Sequence, residues 1–447
     1  MAWNVVIVGG GFGGVYAARR LERVLPPQSA RVMLLTDVNY LLYTPLLPGA
    51  AAGTLEPRHV VIPLREELER TDIRLGRVTG LDPARAVLSY SSADGRDEEL
   101  IYDHLVLALG SVSRVLPVPG LAEHGLGFKT LAEAIELRNR TLLNLEIAES
   151  LDDPEAGRPF LTFVFVGAGY AGVEGIAELQ DYVADVIDRY PRCRLHGTRW
   201  VLVEAEDRIM REISPDLAEF AAGELRARGI EIRPGTRLDS VEPGRVILSD
   251  GEVVPARTLC WTAGVRPPPL VRELGLPLGD AGRIRVDATM RVEGVQNVWA
   301  IGDCAAVPDP AKRGQSSCPP TAQHALRQGR LVADNVAGAL GQGRVRRFRY
   351  RTLGVFVDMG RHKAVAEVVG IKLRGFVAWW AARTYHLAMM PGTARKLRLV
   401  TDWTVGLFFG RASAELGQLG RAPPLDSDLA AGTSPGPARD ERERATT

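Results

Sequence analysis

Cysteine is scarce in this sequence, and the spacing of the few cysteines excludes several kinds of site. Four occur in 447 residues: Cys193, Cys260, Cys304 and Cys318. No two of them form a Cys-x-x-Cys pair or have the spacing of zinc ligands, and a disulfide framework in so long a chain normally uses more. We therefore expect four buried thiols in a reducing, cytosolic compartment and no metal site, since free cysteine is among the most buried residue types.

The sequence also lacks a charge imbalance and long apolar runs. The net charge is +1, so only a local patch could attract an anionic surface, and nothing global favours nucleic acid. No apolar stretch approaches the roughly 18 residues of a spanning helix. The first residues run directly into a strand, without the basic region and cleavage site of a signal peptide. These absences predict a protein kept inside the cell, which can still lie on a membrane.

Apolar residues are plentiful, at 46% of the chain, and the length predicts two or three domains. A strand at Trp3–Val8, a glycine-rich loop, a helix at Val15–Leu25 and a strand at Arg31–Leu35 form a β-α-β unit. So short a unit indicates a parallel sheet. The fold class predicted is therefore α/β.

The same unit occurs a second time in the chain. A strand at Phe160–Val166 leads into a second glycine-rich loop, followed by a long helix to about Asp188 and a strand at Trp200–Val203. Two copies of one supersecondary unit predict two Rossmann-like dinucleotide-binding domains rather than a solenoid.

The first loop reads Gly-x-Gly-x-x-Gly at Gly9, Gly11 and Gly14, with Phe12 and Gly13 between the last two. Glycine allows the tight turn, the close approach of the backbone to a pyrophosphate and the packing of helix on strand. The helix N-terminus adds N–H groups for the diphosphate. Because the motif lies between a strand and a helix, it predicts a dinucleotide site.

The second loop repeats this pattern at Gly167, Gly169 and Gly172, with Tyr170 opening the helix. Two dinucleotides in one chain imply hydride transfer between a nicotinamide and a flavin, because the cofactors carry that chemistry.

The residue after the second strand of each unit is expected to contact the ribose of the bound nucleotide. Glu204 would bind a ribose 2′-OH and repel a 2′-phosphate, which favours NADH over NADPH. The alternative is a solvated strand end. In the first unit either Asp37 or the hydroxyl of Thr36 binds the adenosine ribose.

Further motifs follow the two loops in a fixed order. They are Asn39-Tyr40, Pro45-Leu46-Leu47, Gly53-Thr54-Leu55, Tyr102-Asp103, Ala108-Leu109-Gly110-Ser111, Trp261-Thr262-Ala263-Gly264-Val265, Ile301-Gly302-Asp303 and Ala322-Gln323-His324-Ala325. Over residues 3–415 the sequence resembles the type II NADH:quinone oxidoreductases, single-subunit FAD enzymes with a glutathione-reductase-like pair of domains. The resemblance implies FAD in the first loop and NADH in the second.

The resemblance also implies cofactor contacts at the motif residues Gly110, Gly264, Gly302 and Ala322. It assigns Asp303 to the ribityl and phosphate region of FAD. The alternative interpretation of Asp303 is an ordinary helix cap.

Three residues would serve the reaction itself. Glu174 resembles the family glutamate that assists proton movement, although an acid in a first helical turn also suits the helix dipole. Gln323 matches the first glutamine of the quinone motif Ala-Gln-x-Ala-x-Gln. Arg327 stands where the second glutamine is expected, which leaves the quinone type open.

The chain divides into five predicted segments. Residues 1–120 and 288–345 form the FAD-binding domain, residues 121–287 the NAD(H)-binding domain, residues 346–420 a C-terminal region and residues 421–447 a disordered tail. The return of 288–345 to the first domain rests on the resemblance.

Residues 371–411 combine seven basic residues with a single acid, Asp402. The basic residues are Lys372, Arg374, Arg383, Arg395, Lys396, Arg398 and Arg411. The interleaved aromatic and methionine residues are Phe376, Trp379, Trp380, Tyr385, Met389, Met390, Trp403, Phe408 and Phe409. Such residues on amphipathic helices suit an anionic membrane interface. We expect peripheral docking on the cytoplasmic side of the cell membrane, with a cover for the flavin domain or a homodimer contact as alternatives.

The function predicted is hydride transfer from NADH to flavin and two-electron transfer onward to a membrane quinone, without ion pumping. The alternatives are a related flavoprotein with another acceptor (a sulfide:quinone reductase, a diaphorase or a biosynthetic oxidoreductase) or a non-catalytic NADH sensor. A sulfide:quinone reductase would need reactive cysteines near the flavin, for which Cys304 and Cys318 are the candidates.

Overall fold

The computed structural model describes residues 2–310, 316–352 and 354–417. The strands are β1 (Trp3–Val8), β2 (Ala30–Thr36), β3 (Tyr40–Leu42), β4 (Val61–Pro63), β5 (Asp72–Asp82), β6 (Val87–Ser92), β7 (Asp97–Ile101), β8 (His104–Leu107), β9 (Val112–Ser113), β10 (Thr162–Val166), β11 (Arg199–Val203), β12 (Ile230–Arg233), β13 (Leu238–Glu242), β14 (Arg245–Leu248), β15 (Val253–Pro255), β16 (Thr258–Trp261), β17 (Val265–Arg266), β18 (Ile284–Arg285), β19 (Val298–Ala300), β20 (Ala305–Ala306), β21 (Gly354–Asp358), β22 (Ala364–Val368) and β23 (Ile371–Arg374).

The helices are α1 (Phe12–Val24), α2 (Leu47–Ala51), α3 (Leu64–Glu67), α4 (Leu121–His124), α5 (Leu131–Ser150), α6 (Pro154–Gly157), α7 (Tyr170–Val186), α8 (Pro191–His196), α9 (Pro215–Ala227), α10 (Leu270–Glu273), α11 (Ala322–Ala339), α12 (Gly375–Met389) and α13 (Thr393–Phe408). Short 3₁₀ turns lie at Thr44–Leu46, Pro57–His59, Ile187–Arg189, Asp280–Gly282 and Gly302–Cys304.

The first sheet has the order β19-β8-β1-β2-β5-β6-β7. β1 pairs in parallel with both β2 and β8, and its four last residues are buried. β19 joins the same sheet beside β8, so the chain comes back to the first domain after the second one. Helices α1 and α11 pack closely there, because a Cβ atom on Gly329 would lie 2.3 Å from the carbonyl oxygen of Gly13.

The second sheet has the order β12-β11-β10-β16 and repeats the parallel arrangement around β10. Helices α5, α7 and α9 contribute much of its apolar core, where the rings of Phe163 and Trp200 stack 4.2 Å apart. The short strands β9 and β17 pair with each other between the two sheets. The α/β Rossmann-like prediction is confirmed.

The C-terminal region differs from the helices expected there. β21, β22 and β23 form an antiparallel sheet that precedes α12 and α13. The helical interpretation of residues 371–374 is therefore wrong, since they pair with β22 as a strand. The polar segment 152–158 contains α6. The tail at residues 421–447 lies outside the described residues.

All four cysteines are free and buried, as expected. Burial raises the pKa of the Cys304 and Cys318 thiols to about 12. Because the thiolate is the nucleophile, this environment disfavours the reactive cysteines that a sulfide:quinone reductase would need. None of the helices in the described residues combines the length and hydrophobicity needed to cross a bilayer.

Candidate active site

The first glycine loop leaves the carboxyl end of β1 and enters α1. Gly9 has φ +110°, and a Cβ atom on it would lie 2.3 Å from the carbonyl oxygen of Ala108. A Cβ atom on Gly14 would lie 1.9 Å from the carbonyl oxygen of Gly9. A Cβ atom on Gly11 would meet nothing within 4 Å. The outer glycines therefore serve chain packing, and the middle one faces the open space that a pyrophosphate needs.

The second loop repeats this geometry between β10 and α7. Gly167 has φ +101°, and a Cβ atom added to it would lie 2.6 Å from the amide nitrogen of Ala263. A Cβ atom on Gly172 would lie 1.9 Å from the carbonyl oxygen of Gly167, whereas one on Gly169 would meet nothing within 4 Å. Both loops thus carry an equivalent cradle.

Strand register makes Thr36 and Glu204 equivalent. The Gly9 N–H donates to the carbonyl of Leu35, and the Gly167 N–H donates to that of Val203, each at 2.8 Å. Glu204 accepts from the N–H of Ala168 at 2.6 Å, which holds its carboxylate beside the loop.

Thr36 is buried and donates its hydroxyl hydrogen bond to the carbonyl of Val38 at 3.1 Å. A Cβ atom on Gly10 would lie 2.5 Å from the Thr36 hydroxyl oxygen. Thr36 is therefore the residue against the first loop, and Asp37 is exposed beyond it.

Polar groups from β8 and β19 meet at the edge where the first loop lies. The Ser111 hydroxyl donates to Asp303 Oδ2 at 2.6 Å. Gly302 has φ +72°, and its N–H donates to Gln328 Oε1 at 2.7 Å. Gly110 and Gly264 also have positive φ, and a Cβ atom on either would meet nothing within 4 Å. Gln328, which the sequence motifs did not indicate, holds the backbone of Gly302 at this edge.

Ala322 and Gln323 open helix α11. The Gln323 side chain donates to the carbonyl of Gly354 at 3.0 Å and accepts from the Tyr350 hydroxyl at 2.8 Å. The Arg327 guanidinium lies 4.1 Å from the centre of the Tyr350 ring. Tyr350 was missed by sequence reasoning, because it lies 27 residues beyond the motif that it orients.

Glu174 lines a small recess with a cavity volume of about 40 Å³. Segment 45–55, α7, β21, α12 and α13 all contribute to the lining. The charged, histidine and aromatic lining residues are Glu174, Glu178, Asp358, Arg383, His386, Phe356 and Trp403. The Asp358 N–H donates to Glu174 Oε1 at 3.1 Å. The sequence motifs pointed only to Glu174 in this group.

Aromatic contacts connect the recess with the first loop, and strand β21 connects it with Gln323. The ring of Phe12 lies 5.7 Å from that of Tyr43, whose hydroxyl lies 3.3 Å from His386 Nδ1. Phe356 stacks on Tyr385 at 5.2 Å. Gln323 donates to the carbonyl of Gly354 on β21, the strand that also carries Phe356. The predicted site residues of α1, α7 and α11 therefore surround one region.

The fold and the two loops define a two-domain dinucleotide-binding protein. A model of the pyridine nucleotide-disulphide oxidoreductase family matches residues 3–329. The open cradles at Gly11 and Gly169 and the carboxylate of Glu204 fit the FAD and nicotinamide nucleotide that this class uses.

Comparison with known proteins narrows the class. The type II NADH:quinone oxidoreductase Ndh of Mycobacterium tuberculosis is 31% identical, over 90% of this chain and 87% of that protein. The demethylphylloquinone reductase NdbB of Synechocystis is 31% identical, over 90% and 95%. NDH2 of Plasmodium falciparum, solved in complex with NADH, shares the fold with a TM-score of 0.86 at 17% identity, over 93% of this chain and 100% of that one. The chain belongs to the type II NADH:quinone oxidoreductase family.

Proposed function

We propose that this protein oxidises NADH and passes two electrons through FAD to a quinone without pumping ions. The observation that carries the proposal is the recess, which lies against the helix of the second glycine loop. His386 and Tyr43 link it to Phe12 of the first loop, and strand β21 links it to Gln323. A donor nucleotide, a flavin and an acceptor would thus meet in one region. The relatives' names support a quinone as the acceptor.

Each group of residues has a distinct task in this mechanism. The second loop and Glu204 bind and orient the nicotinamide nucleotide, and the first loop, Thr36 and Asp303 hold FAD. Bound FAD supplies the two-electron chemistry between donor and acceptor. Glu174 holds a proton near the site, because burial raises the pKa of its carboxyl well above the ordinary value. The oriented Gln323 amide donates to a quinone carbonyl.

Anaerobic mixing of the purified holoenzyme with NADH tests the proposal. We expect loss of the oxidised flavin absorbance, followed by its return when a short-chain quinone is added. Comparing a naphthoquinone with a benzoquinone acceptor identifies the class of quinone that is reduced. The sequence leaves this class open, because Arg327 places a positive charge beside Gln323. No loss of absorbance with NADH would contradict the first half-reaction, and no return with either quinone would contradict the second.

Replacing Glu204 with alanine is expected to reduce the preference for NADH over NADPH by about 10- to 100-fold in the ratio of kcat/KM values, because a carboxylate at this position pairs with a ribose 2′-OH and repels a 2′-phosphate. The exposed Glu219→Ala on α9 is the control, and it should leave the ratio unchanged. An unchanged preference in the Glu204 variant would remove the argument for NADH.

The proposal includes a membrane-facing surface, but the residues that would form it differ from the basic residues at 371–411. Five of the seven basic residues at 371–411 face acids or aromatic rings within the protein. Lys372 and Arg374 pair with Asp216, Arg395 with Glu66 and Glu67, Arg411 with Asp181, and Arg383 lies against Trp379 and Trp403. These partners leave the five side chains less available to the phosphates of an anionic membrane.

The exposed apolar side chains of α12 and α13 remain as the docking surface. Phe376, Trp380, Leu397, Leu407 and Phe408 are each more than half exposed. A second source of positive charge is an arginine strip at residues 344–351, whose five arginines are exposed. Arg346 pairs with Asp334, and the strip carries no acid. Apolar insertion combined with exposed cations suits an anionic bilayer.

The double variant Trp380→Glu/Phe408→Glu is expected to bind phosphatidylglycerol vesicles roughly 100-fold more weakly than the wild type, since burying each large apolar side chain is worth about 1.5–3 kcal/mol. Vesicle sedimentation measures this. Leu195→Glu is the matched control, because Leu195 is 81% exposed on α8. Equal binding by all three proteins would contradict docking through α12 and α13, and a shift to monomer in the double variant would favour the homodimer interpretation.

A further inference from the structure

Three carboxyl groups meet at the recess that contains Glu174. Glu174 and Glu178 lie one helical turn apart on α7, so they share a face of that helix. Asp358 ends β21, and its backbone N–H donates to Glu174 Oε1. Glu178 is 4% exposed, and the Thr54 hydroxyl lies 3.4 Å from its Oε2 atom.

The positive charge facing this cluster is smaller than its negative charge. Among the lining residues the permanent cation is Arg383 of α12, whose guanidinium lies 4.3 Å and 4.8 Å from the ring centres of Trp379 and Trp403. Arg411, which follows α13, is held by Asp181 at 2.7 Å. His386 is neutral near neutral pH, because burial lowers its pKa to about 4.

Glu178 is buried, and Glu174 and Asp358 are half-buried. Beside Arg383 and an Arg411 that is already paired with Asp181, the three carboxylates cannot all be ionised without a large cost, so the cluster retains a proton. Burial raises the pKa of the Glu178 carboxyl to about 7, with Asp358 and Asp181 adding to the shift and Arg411 and Arg383 opposing it. Burial also raises the pKa of Asp358. The proton is therefore exchangeable in the neutral range.

The proposed reaction requires such a proton. In NADH + H⁺ + quinone → NAD⁺ + quinol, the hydride supplies two electrons and one proton, and the second proton comes from solution. The mechanism above uses Glu174, which is half-buried at the site, but gives it no source of protons.

We propose that Glu178, with Asp358, stores this second proton and reloads Glu174 in each catalytic cycle. The proton leaves the Glu178 carboxylic acid, Glu174 accepts it and hands it toward the reduced acceptor, and the Glu178 carboxylate is reprotonated from solution. Glu178 thus acts through Glu174 and does not touch the substrate. This inference rests on the proposed function.

The Glu178→Gln variant of the holoenzyme tests the inference with two acceptors. In NADH + 2 ferricyanide → NAD⁺ + H⁺ + 2 ferrocyanide, the acceptor takes electrons and no proton. We expect kcat with a short-chain quinone to fall by about 100-fold, as for loss of a proton-transfer group. The ferricyanide rate should be unchanged.

The pH profile gives a second readout. Glu178 must be protonated to donate, so the wild-type quinone rate should decline as the pH rises through about 7. That decline should vanish in Glu178→Gln and persist in Glu178→Asp, which keeps a carboxyl. The exposed Glu273→Gln on α10 should behave as the wild type.

Infrared titration tests the storage of the proton independently of turnover. A carboxylic acid band that disappears through neutral pH should be present in the wild type and absent in Glu178→Gln. Equal loss of both acceptor activities, an unchanged quinone pH profile or a retained band would each overturn the inference. If the wild type reduces ferricyanide but no quinone, the proposed function fails and the infrared titration alone decides whether Glu178 stores a proton.

Discussion

Replacing Gly14 with alanine is expected to yield a protein that does not retain flavin and is about 3 kcal/mol less stable. The new methyl group would lie 1.9 Å from the carbonyl oxygen of Gly9, where the backbone of β1 and α1 leaves no room to move. Overpacking of this kind costs 1–3 kcal/mol and occasionally more. Chemical denaturation of the apoprotein measures the stability loss, and the flavin-to-protein absorbance ratio measures retention.

Gly11→Ala in the same loop separates folding from cofactor binding. A Cβ atom there meets nothing within 4 Å, so the apoprotein should keep its stability to within about 1 kcal/mol. The affinity for FAD should nevertheless fall by about 100-fold or more, because the methyl group fills the space that the pyrophosphate needs. Full flavin retention by Gly14→Ala, or wild-type FAD affinity in Gly11→Ala, would show that the loop does not hold the cofactor.

Arg395→Ala is expected to destabilise the protein by about 3 kcal/mol, because it removes one partner of a buried ion pair. The guanidinium donates to Glu66 at 2.8 Å, to Glu67 at 3.1 Å and to the carbonyl of Pro391 at 2.9 Å. The side chains of Arg395 and Glu67 are only 9% and 8% exposed. Truncation leaves Glu67 buried with Arg19 as its remaining partner.

Arg398→Ala is the matched control, since Arg398 is exposed on the same helix. Its effect on the free energy of unfolding should stay within about 0.5 kcal/mol. Denaturant titrations compare the two variants, and hydrogen exchange in α13 shows whether the helix loosens from α3. Equal destabilisation by both variants would mean that the ion pair with Glu66 and Glu67 contributes nothing specific.

The parts of the fold that sequence predicted well are local. The two β-α-β units were recognised because strand, loop and helix follow one another within residues 3–24 and 162–186. Glycine is needed wherever the backbone must turn or pack tightly. Strand register makes Thr36 the equivalent of Glu204.

The C-terminal region shows why contacts between distant parts of the chain could not be predicted from the sequence. Asp402 is the single acid at residues 371–411, yet Glu66, Asp181 and Asp216 pair with arginines there from over 150 residues away. A count of charges in a sequence window cannot include such partners. The strand at Ile371–Arg374 was missed for a similar reason, since its pairing with β22 decides its conformation.

The sequence by itself thus determined the two dinucleotide cradles and the family, since both depend on residue types at short, fixed spacing. Only the tertiary structure decided which charged side chains form ion pairs and which remain exposed to solvent. It also decided that Glu178 and Asp358 join Glu174 in one recess. The recess is assembled from segments spread over the whole length of the chain, and burial there, which no sequence window records, controls the ionisation of its carboxyl groups.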